Sequence, residues 1–515
     1  MSLPLDNKRI VKNTFALYFR QIITMGVYLY TSRVILNQLG VTDFGINNVV
    51  GGLILICSFI SGAFVQTLNR FFSYELGRED YDKLNKLFNI SLVIYAFISL
   101  FFIILAETVG LWFLLNKMVM PPERVNAAFW VFEFSILQMI LGLINTPYIS
   151  IVISRERFKF FAYMSIIDAV ARLAVVYLLM IVNYDKLKLF AVLNFAVSCL
   201  TFIIYQKYCR SNFKETKYKF CREWPLYKDL FKFSGWILLN PVSYTAKYQG
   251  VNMVLNLFFG PIINAANGIA ARVAQAISSF SENAAQAVNP QIIKLYATEN
   301  FTEMWNLVIR ASKMYYFLFF IPALPVIVNA EFVLSLWLVN VPDYAVIFTQ
   351  LVLIEQIIRV LLLASVQVNN ASGNIKIVQI VGCVVQSSNL PVAIILCYLK
   401  INVVSIFIAG IVIMALFVFL LLLIVSIQNN LPVFRFLREL FLPIIIVTIL
   451  TLIAPIAMYY SLPDNALFSF LNIIVCIILG CGISYSFGLS KNEREKILGF
   501  IKNKIGINNY ETKNP

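Results

Sequence analysis

Between residues 272 and 289 the sequence places Arg272, Gln275, Ser279, Glu282, Gln286 and Asn289 at steps of three, four, three, four and three. At about 100° per residue these steps keep all six on one helical stripe. An apolar helix with such a stripe lines water, binds an anion or carries a coupling ion, because lone charges in lipid are costly. Similar faces recur. Asn240, Ser243, Tyr244 and Lys247 align beside Pro241, a residue that breaks the helical ladder and supplies a hinge. Asn13, Arg20, Thr24 and Thr31 form another face, and Asn48, Ser58, Gly62, Gln66 and Asn69 a thinner one. The apolar segments that carry Arg20 and Lys247 hold no carboxylate, and the one nearest Arg272 within its segment is Glu282. These three cations make a fixed positive field for an anionic cargo. Guanidinium suits bidentate phosphate contact, and ammonium acts as a point charge. The neutral lining residues Asn69, Asn240, Tyr244, Gln275, Gln286 and Asn289 suit a hydroxyl-rich group such as a sugar. Ser, Asn and Gln also glue membrane helices together, and for the thin stripe around Asn69 that reading is equally good.

Other chemistry is closed. The chain has no histidine, the commonest general base and metal ligand. Of its eight cysteines, Cys57, Cys199, Cys383, Cys397, Cys476 and Cys481 fall in apolar runs, and Cys209 and Cys221 in a basic loop. None makes a CxxC pair, so they read as small buried hydrophobes without disulfide or metal. No cofactor is expected; Glu282 is the candidate carboxylate for H+ or Na+ coupling, or else the partner of Arg272 across the cavity. The remaining intramembrane charges have structural readings. Asp168 with Arg172 and Glu355 with Arg359 stand four apart, where each pair neutralises itself on one helix face. Arg33, Arg310 and Lys313 are placed to snorkel to an interface.

Composition names the elements that must position these residues. The 515 residues are 60% hydrophobic and 13% charged, against about 45–50% and about 25% in soluble domains. That excludes a soluble enzyme and a disordered or fibrous chain. It points to an all-α polytopic membrane protein. Apolar windows give fourteen candidate helices, at 11–38, 44–70, 86–115, 125–153, 160–183, 187–207, 230–258, 262–290, 304–330, 344–369, 375–399, 402–427, 436–459 and 466–488. The seventh and eighth are the least apolar. The first follows Lys8, Arg9 and Lys12 directly and is expected to act as a signal anchor rather than a cleaved leader. With both termini cytoplasmic, 28 of the 41 Lys and Arg residues fall inside, five outside and eight within spans. This asymmetry sets the topology and accounts for the net charge of +15 through anionic lipid rather than nucleic acid.

The chain divides accordingly into a six-helix lobe at 1–207, a basic linker at 208–229, a second six-helix lobe at 230–427, two additional helices at 428–490 and a basic tail at 491–515. Sliding the chain on itself by 220 positions brings Gly40 onto Gly260, Gln66 onto Gln286 and Asn69 onto Asn289. That register pairs the second helix with the eighth, as a six-plus-six duplication requires.

The segment from Asn13-Thr14-Phe15 to Leu39-Gly40, then Asp43-Phe44-Gly45-Ile46 with Gly51-Gly52, and Gln66 to Arg70 with Phe71, Phe72 and Gly77, resembles the start of bacterial polysaccharide flippases. These are the O-antigen and capsule repeat-unit flippases of the MATE/MOP superfamily. The resemblance implies two pseudo-symmetric six-helix lobes around a central cavity that alternates between membrane faces. It implies an undecaprenyl-pyrophosphate-linked oligosaccharide as cargo, the bacterial inner membrane as location, and the polymerase and glycosyltransferases of the same pathway as partners. Cations on the first, seventh and eighth helices belong to that picture, in the places of Arg20, Lys247 and Arg272. A MATE-type drug and cation antiporter is the alternative, although its carboxylate-based sites contrast with the cations here. A membrane polymerase or glycosyltransferase fits poorly, because the outer loops are short and offer only a few carboxylates such as Asp43, Glu123, Asp185, Asp343 and Asp464.

Overall fold

The computed structural model describes residues 17–21, 23–24, 26–27, 30–31, 34–35, 38–39, 43, 46–47, 58–116, 121–182, 184–219, 221, 223–259, 261–338, 341–429, 432–461, 463, 465–490 and 493–495. All regular structure among them is helical. Helix α1 spans Ser58–Gly77, α2 Tyr81–Leu105, α3 Val125–Ser154, α4 Phe158–Ile181 and α5 Lys186–Asn212. Then follow α6 Trp224–Phe259, α7 Pro261–Ala297, α8 Phe301–Val328, α9 Ala345–Val360, α10 Leu363–Ser372, α11 Lys376–Ser387, α12 Asn389–Tyr398, α13 Val404–Asn429, α14 Leu442–Ser461 and α15 Ala466–Ile483.

Ten helical stretches among the described residues are long and apolar enough to cross a membrane. They match the third to sixth and the ninth to fourteenth candidate spans. Helices α6 and α7, with 36 and 37 residues, are the seventh and eighth. They are long enough to span and too polar to pass the same test, which is the cost of carrying the stripes. The first candidate span and the start of the second, Arg33 and Asn48 included, lie largely outside the described residues.

Helix ends follow local chemistry. Asp185 caps α5 by accepting from the amides of Leu187 and Lys188 at 3.1 and 3.3 Å. Asp80 and Asn465 cap α2 and α15 through Lys83 N and Phe468 N, both at 3.0 Å; such caps contribute about 1 kcal/mol each. Tight turns between helices use left-handed residues at Glu79, Glu156, Glu299 and Gly373.

These boundaries make the duplication explicit. Gly77 and Ala297 end α1 and α7, Tyr81 and Phe301 begin α2 and α8, and Val125 and Ala345 begin α3 and α9, each pair 220 positions apart. The left-handed Glu79 and Glu299 share that offset. It shortens to 218 at Phe158 and Lys376, and at Lys186 and Val404, so two residues are lost from the second copy. Packing repeats as well: α3 lies along α5 and α9 along α13. A Cβ built on Gly77 would come within 3.0 Å of the Ala297 Cβ.

Two compact units form. The first is Met1–Ser243 with Gln286–Met304 and Gln367–Cys383; the second is Tyr244–Ala285 with Trp305–Val366 and Val384–Pro515. In the first, Phe88 packs edge-on to Tyr148 with ring centroids 5.3 Å apart, within a core from α1, α2 and α3. Arg124 reaches both Asp43 and Asp185, and buried Glu156 holds Lys294 at 2.5 Å. Part of the basic 208–229 segment docks on α2: Asn85 Nδ2 donates to the carbonyls of Glu215 and Lys217 at 2.6 and 3.0 Å, and Glu215 pairs with Arg155.

In the second unit Phe348 of α9 stacks on Phe407 of α13 at 4.0 Å. Tyr316 and Thr448 join α8 to α14 through their hydroxyls at 2.5 Å. Of the cations expected to snorkel, Lys313 does otherwise. It is buried twelve residues into α8 and donates to Glu493 at 2.8 Å, because the chain after α15 brings a carboxylate back to it. Cys481, expected to be buried, is exposed on α15.

Burial pushes the Glu493 carboxyl up, but the hydrogen bond from Lys313, the Ser490 amide and the Lys313 charge outweigh it and hold the group below its ordinary value. A carboxyl lowered in the folded state stabilises above its unfolded value of about 4.3. That contribution disappears as pH falls through the folded value. The melting temperature of the wild type is therefore expected to drop more between about pH 5 and about pH 3 than that of Glu493→Gln. Equal pH dependence would dissociate the clasp from stability.

Candidate functional site

Three helices of the second unit bring together four of the predicted residues, Tyr244, Lys247, Gln275 and Glu282, with Tyr248 and Gln356, which the sequence reading did not single out, and the charged pair Glu355 and Arg359. Helix α6 supplies Tyr244, Lys247 and Tyr248, α7 supplies Gln275 and Glu282, and α9 supplies Glu355, Gln356 and Arg359. Side chains from the stripes on α6 and α7 line one cavity with those of α9, where polar groups are kept from lipid. Arg359 sits at the centre. Its guanidinium donates to Glu282 Oε1 and to Gln356 Oε1, both at 2.8 Å, and to the Tyr244 hydroxyl at 3.4 Å. Gln356 donates in turn to the Tyr248 hydroxyl at 3.1 Å, and the two tyrosine hydroxyls lie 3.0 Å apart. Tyr244, Tyr248, Gln275, Glu282, Gln356 and Arg359 line a cavity of about 290 Å3.

Lys247 lies behind this cavity. Its ammonium donates to Glu355 Oε1 at 2.5 Å, with only 7% and 8% of the two side chains exposed. Gly410 of α13 packs closely beside it, since a Cβ there would stand 3.3 Å from Glu355 Oε2. The four-residue spacing of Glu355 and Arg359 predicts a pair within one helix, and this is corrected: each takes a partner on another helix. A carboxylate between two cations is drawn to whichever the packing buries beside it, since a charge pair strengthens as water is excluded. Glu282 likewise pairs with Arg359 rather than Arg272. Arg272 is exposed on α7 and makes no ion pair among the described residues.

The first unit holds a larger cavity of about 700 Å3, whose polar lining includes Thr24, Thr31, Asn145, Asp168, Arg172 and Asn194. Thr24 and Thr31 come from the face predicted to carry Arg20. The Arg20 guanidinium lies 4.9 Å from the ring of Phe161, which lines the same cavity. Here the intrahelical reading of Asp168 and Arg172 holds, at 2.9 Å. Arg172 also donates to Asn194 at 3.0 Å, so the pair is a cavity wall as well as a neutralised charge. Sequence reasoning set these two aside; their position within a span was the signal.

The remaining lining residues are dispersed. Asn69, Gln286 and Asn289 belong to the first unit, where Asn69 Oδ1 and Asn289 Oδ1 are buried without a hydrogen-bond partner among the described residues. The side chain of Asn240 lies outside the described residues. No group of three or more carboxylate or thiol side chains gathers among the described residues as a metal site would need.

This duplicated helical arrangement is similar in fold to solved transporters of the MATE/MOP superfamily. A MOP-superfamily transporter from Pyrococcus furiosus, described as having a binding pocket of reverse polarity that suggests a different function, matches 82% of this chain and 95% of its own, with a TM-score of 0.67 and 12% identity. The MATE transporter ClbM in complex with Rb+ matches with a TM-score of 0.71 and 14% identity, over 82% of this chain and 96% of its own. VcmN of Vibrio cholerae reaches 0.64 and 17%, over 82% and 98%. At these identities the likeness is one of fold. No protein-family model and no curated protein matches the chain.

Proposed function

We propose that the chain is a flippase carrying undecaprenyl-pyrophosphate-linked oligosaccharide repeat units across the bacterial plasma membrane for surface-polysaccharide assembly. One observation carries the reading. In the second unit, phenol and amide groups surround Arg359, whose carboxylate partner Glu282 has a side chain 51% exposed. An incoming phosphate takes the place of Glu282 on that guanidinium, a planar fork matched to phosphate oxygens. Tyr244, Gln275 and Gln356 then face the sugars. Arg272, about three turns away on α7, extends the positive field, and Arg20 plays the corresponding part beside the cavity of the first unit. Lys247 keeps Glu355 neutralised rather than facing cargo. Protonation of Glu282, or its capture by a cation, releases Arg359 to the phosphate and couples transport to an H+ or Na+ gradient. The pathway's polymerase and glycosyltransferases would receive and supply the cargo.

The shared fold with a multidrug resistance MATE transporter, together with Asp168 in the first cavity, favours cation or drug antiport as the second reading. Proteoliposomes separate the two: translocation of lipid-linked oligosaccharide without efflux of a cationic dye is expected. Within cells lacking their own flippase, Arg359→Ala that still inserts is expected to lower surface-polysaccharide export at least tenfold. Loss of one hydrogen bond to a charged group, about 1.5–3 kcal/mol, sets that scale. Undiminished export by this variant sinks the cationic-site reading.

A further inference from the structure

Away from both cavities, the first unit contains a third hollow of about 360 Å3. It lies at the end of the helices that the loop charges assign to the cytoplasm. Helix α1 contributes Arg70, α6 contributes Asp229, Lys232 and Trp236, and the turn into α11 contributes Gly373 and Lys376. Three cations thus face one carboxylate, in a place unrelated to the transport path proposed above. Arg70 is spent on architecture: it donates to the carbonyls of Asn370 and Ala371, both at 3.3 Å, and lies 4.5 Å from the Phe71 ring and 5.3 Å from the Phe233 ring. Gly373, at φ +78°, lets the turn close on it, since a Cβ there would stand 2.9 Å from Arg70 Nη2. The rigid base leaves Lys232 and Lys376 exposed at the mouth, Lys376 with its ammonium 5.5 Å from the Trp236 ring.

We infer that this hollow binds a phosphate group, presented by the headgroup of an anionic phospholipid of the inner leaflet. Its size lies at the low end of the roughly 300–1,000 Å3 range of small-ligand sites, ample for a phosphodiester and its glycerol. Basic hollows between spanning helices on the cytoplasmic side are suited to such headgroups. The lipid source is favoured by what adjoins Lys376: Ile377 and Ile380, 49% and 38% exposed, continue along α11 as an apolar surface for acyl chains. Trp236 lines the same hollow, and indole rings favour the membrane interface. A bound headgroup bridges α6 and α11 in this arrangement. The inference is independent of which cargo the protein carries.

Native mass spectrometry of the purified full chain tests it with phosphatidylglycerol, phosphatidylcholine of the same acyl chains, and inorganic pyrophosphate. The wild type is expected to prefer phosphatidylglycerol, and K232Q/K376Q to lose about 25-fold of that affinity, at roughly fivefold per basic side chain, with phosphatidylcholine binding unchanged. The control K217Q/K219Q, outside the hollow, is expected to bind like the wild type. Pyrophosphate binding that is lost in K232Q/K376Q, without a phosphatidylglycerol preference, keeps the phosphate site and reassigns its source to a soluble ligand. Equal binding by the wild type and K232Q/K376Q, or equal losses in K232Q/K376Q and the control, overturns the site.

Discussion

Lys247→Ala is expected to destabilise the protein by about 3–5 kcal/mol, because it leaves Glu355 buried without its counter-charge. The two side chains are almost inaccessible and joined at 2.5 Å, so water cannot replace the ammonium. The double substitution Lys247→Met with Glu355→Leu removes both charges and is expected to return within about 1–2 kcal/mol of the wild type, as apolar replacements of buried pairs often do. Thermal melting of the purified single and double variants measures the coupling. The result bears on function as well as stability. A lost export phenotype in Lys247→Ala alone would reflect missing protein, whereas recovery of export by the double variant would show that this cation does not hold cargo. Independent, additive losses from the two single substitutions would mean that Lys247 and Glu355 act separately.

Gly77→Val is expected to abolish transport while leaving the protein inserted. A Cβ at this position meets the Lys294 Cα at 2.9 Å and the Lys294 carbonyl oxygen at 3.0 Å. Both are backbone atoms that cannot rotate away, so the end of α1 must part from α7. The neighbouring bonds from Lys294 at 2.5 Å and Gln291 at 3.2 Å to the carboxylate of Glu156 are then pulled as well. Overpacking of this kind costs about 1–3 kcal/mol, which shifts a two-state equilibrium by roughly 5- to 150-fold. These contacts lie within the first unit and join the first copy of the duplication to the second, and under the proposed flippase reading strain there is expected to reach transport. The checks are transport in proteoliposomes and the labelling of a cysteine introduced at Glu156, which is expected to become reactive only in the valine variant. Wild-type transport by Gly77→Val would remove this contact from the cycle.

Much of the fold is legible in the chain because the bilayer imposes it locally. A run such as Val404–Asn429 is apolar on every face and long enough to span, and nothing tertiary is needed to read it as a helix. The duplication was only faintly legible, in matches such as Gln66 with Gln286 and Asn69 with Asn289; the regular offsets between helix ends that make it plain come from the structure. Helices α6 and α7 are legible by their stripes even where hydropathy is weak.

Partner choice was legible for Asp168 with Arg172 but not for Lys247, Glu355 and Arg359, and the reason is physical. Spacing along one helix reports which side chains share a face. The energy of a charge inside a membrane protein depends on what the next helix places opposite it. The sequence alone determined that the chain is a many-helix membrane protein with cations on polar stripes where lipid would not tolerate them. The tertiary structure alone decided that Lys247 is bound to a glutamate 108 residues away, that Arg359 rather than Lys247 looks into a cavity, and that Asp168 and Arg172 wall another. Coulomb attraction between intramembrane charges is strong and nearly indifferent to sequence distance, so only packing selects among the pairs that composition allows.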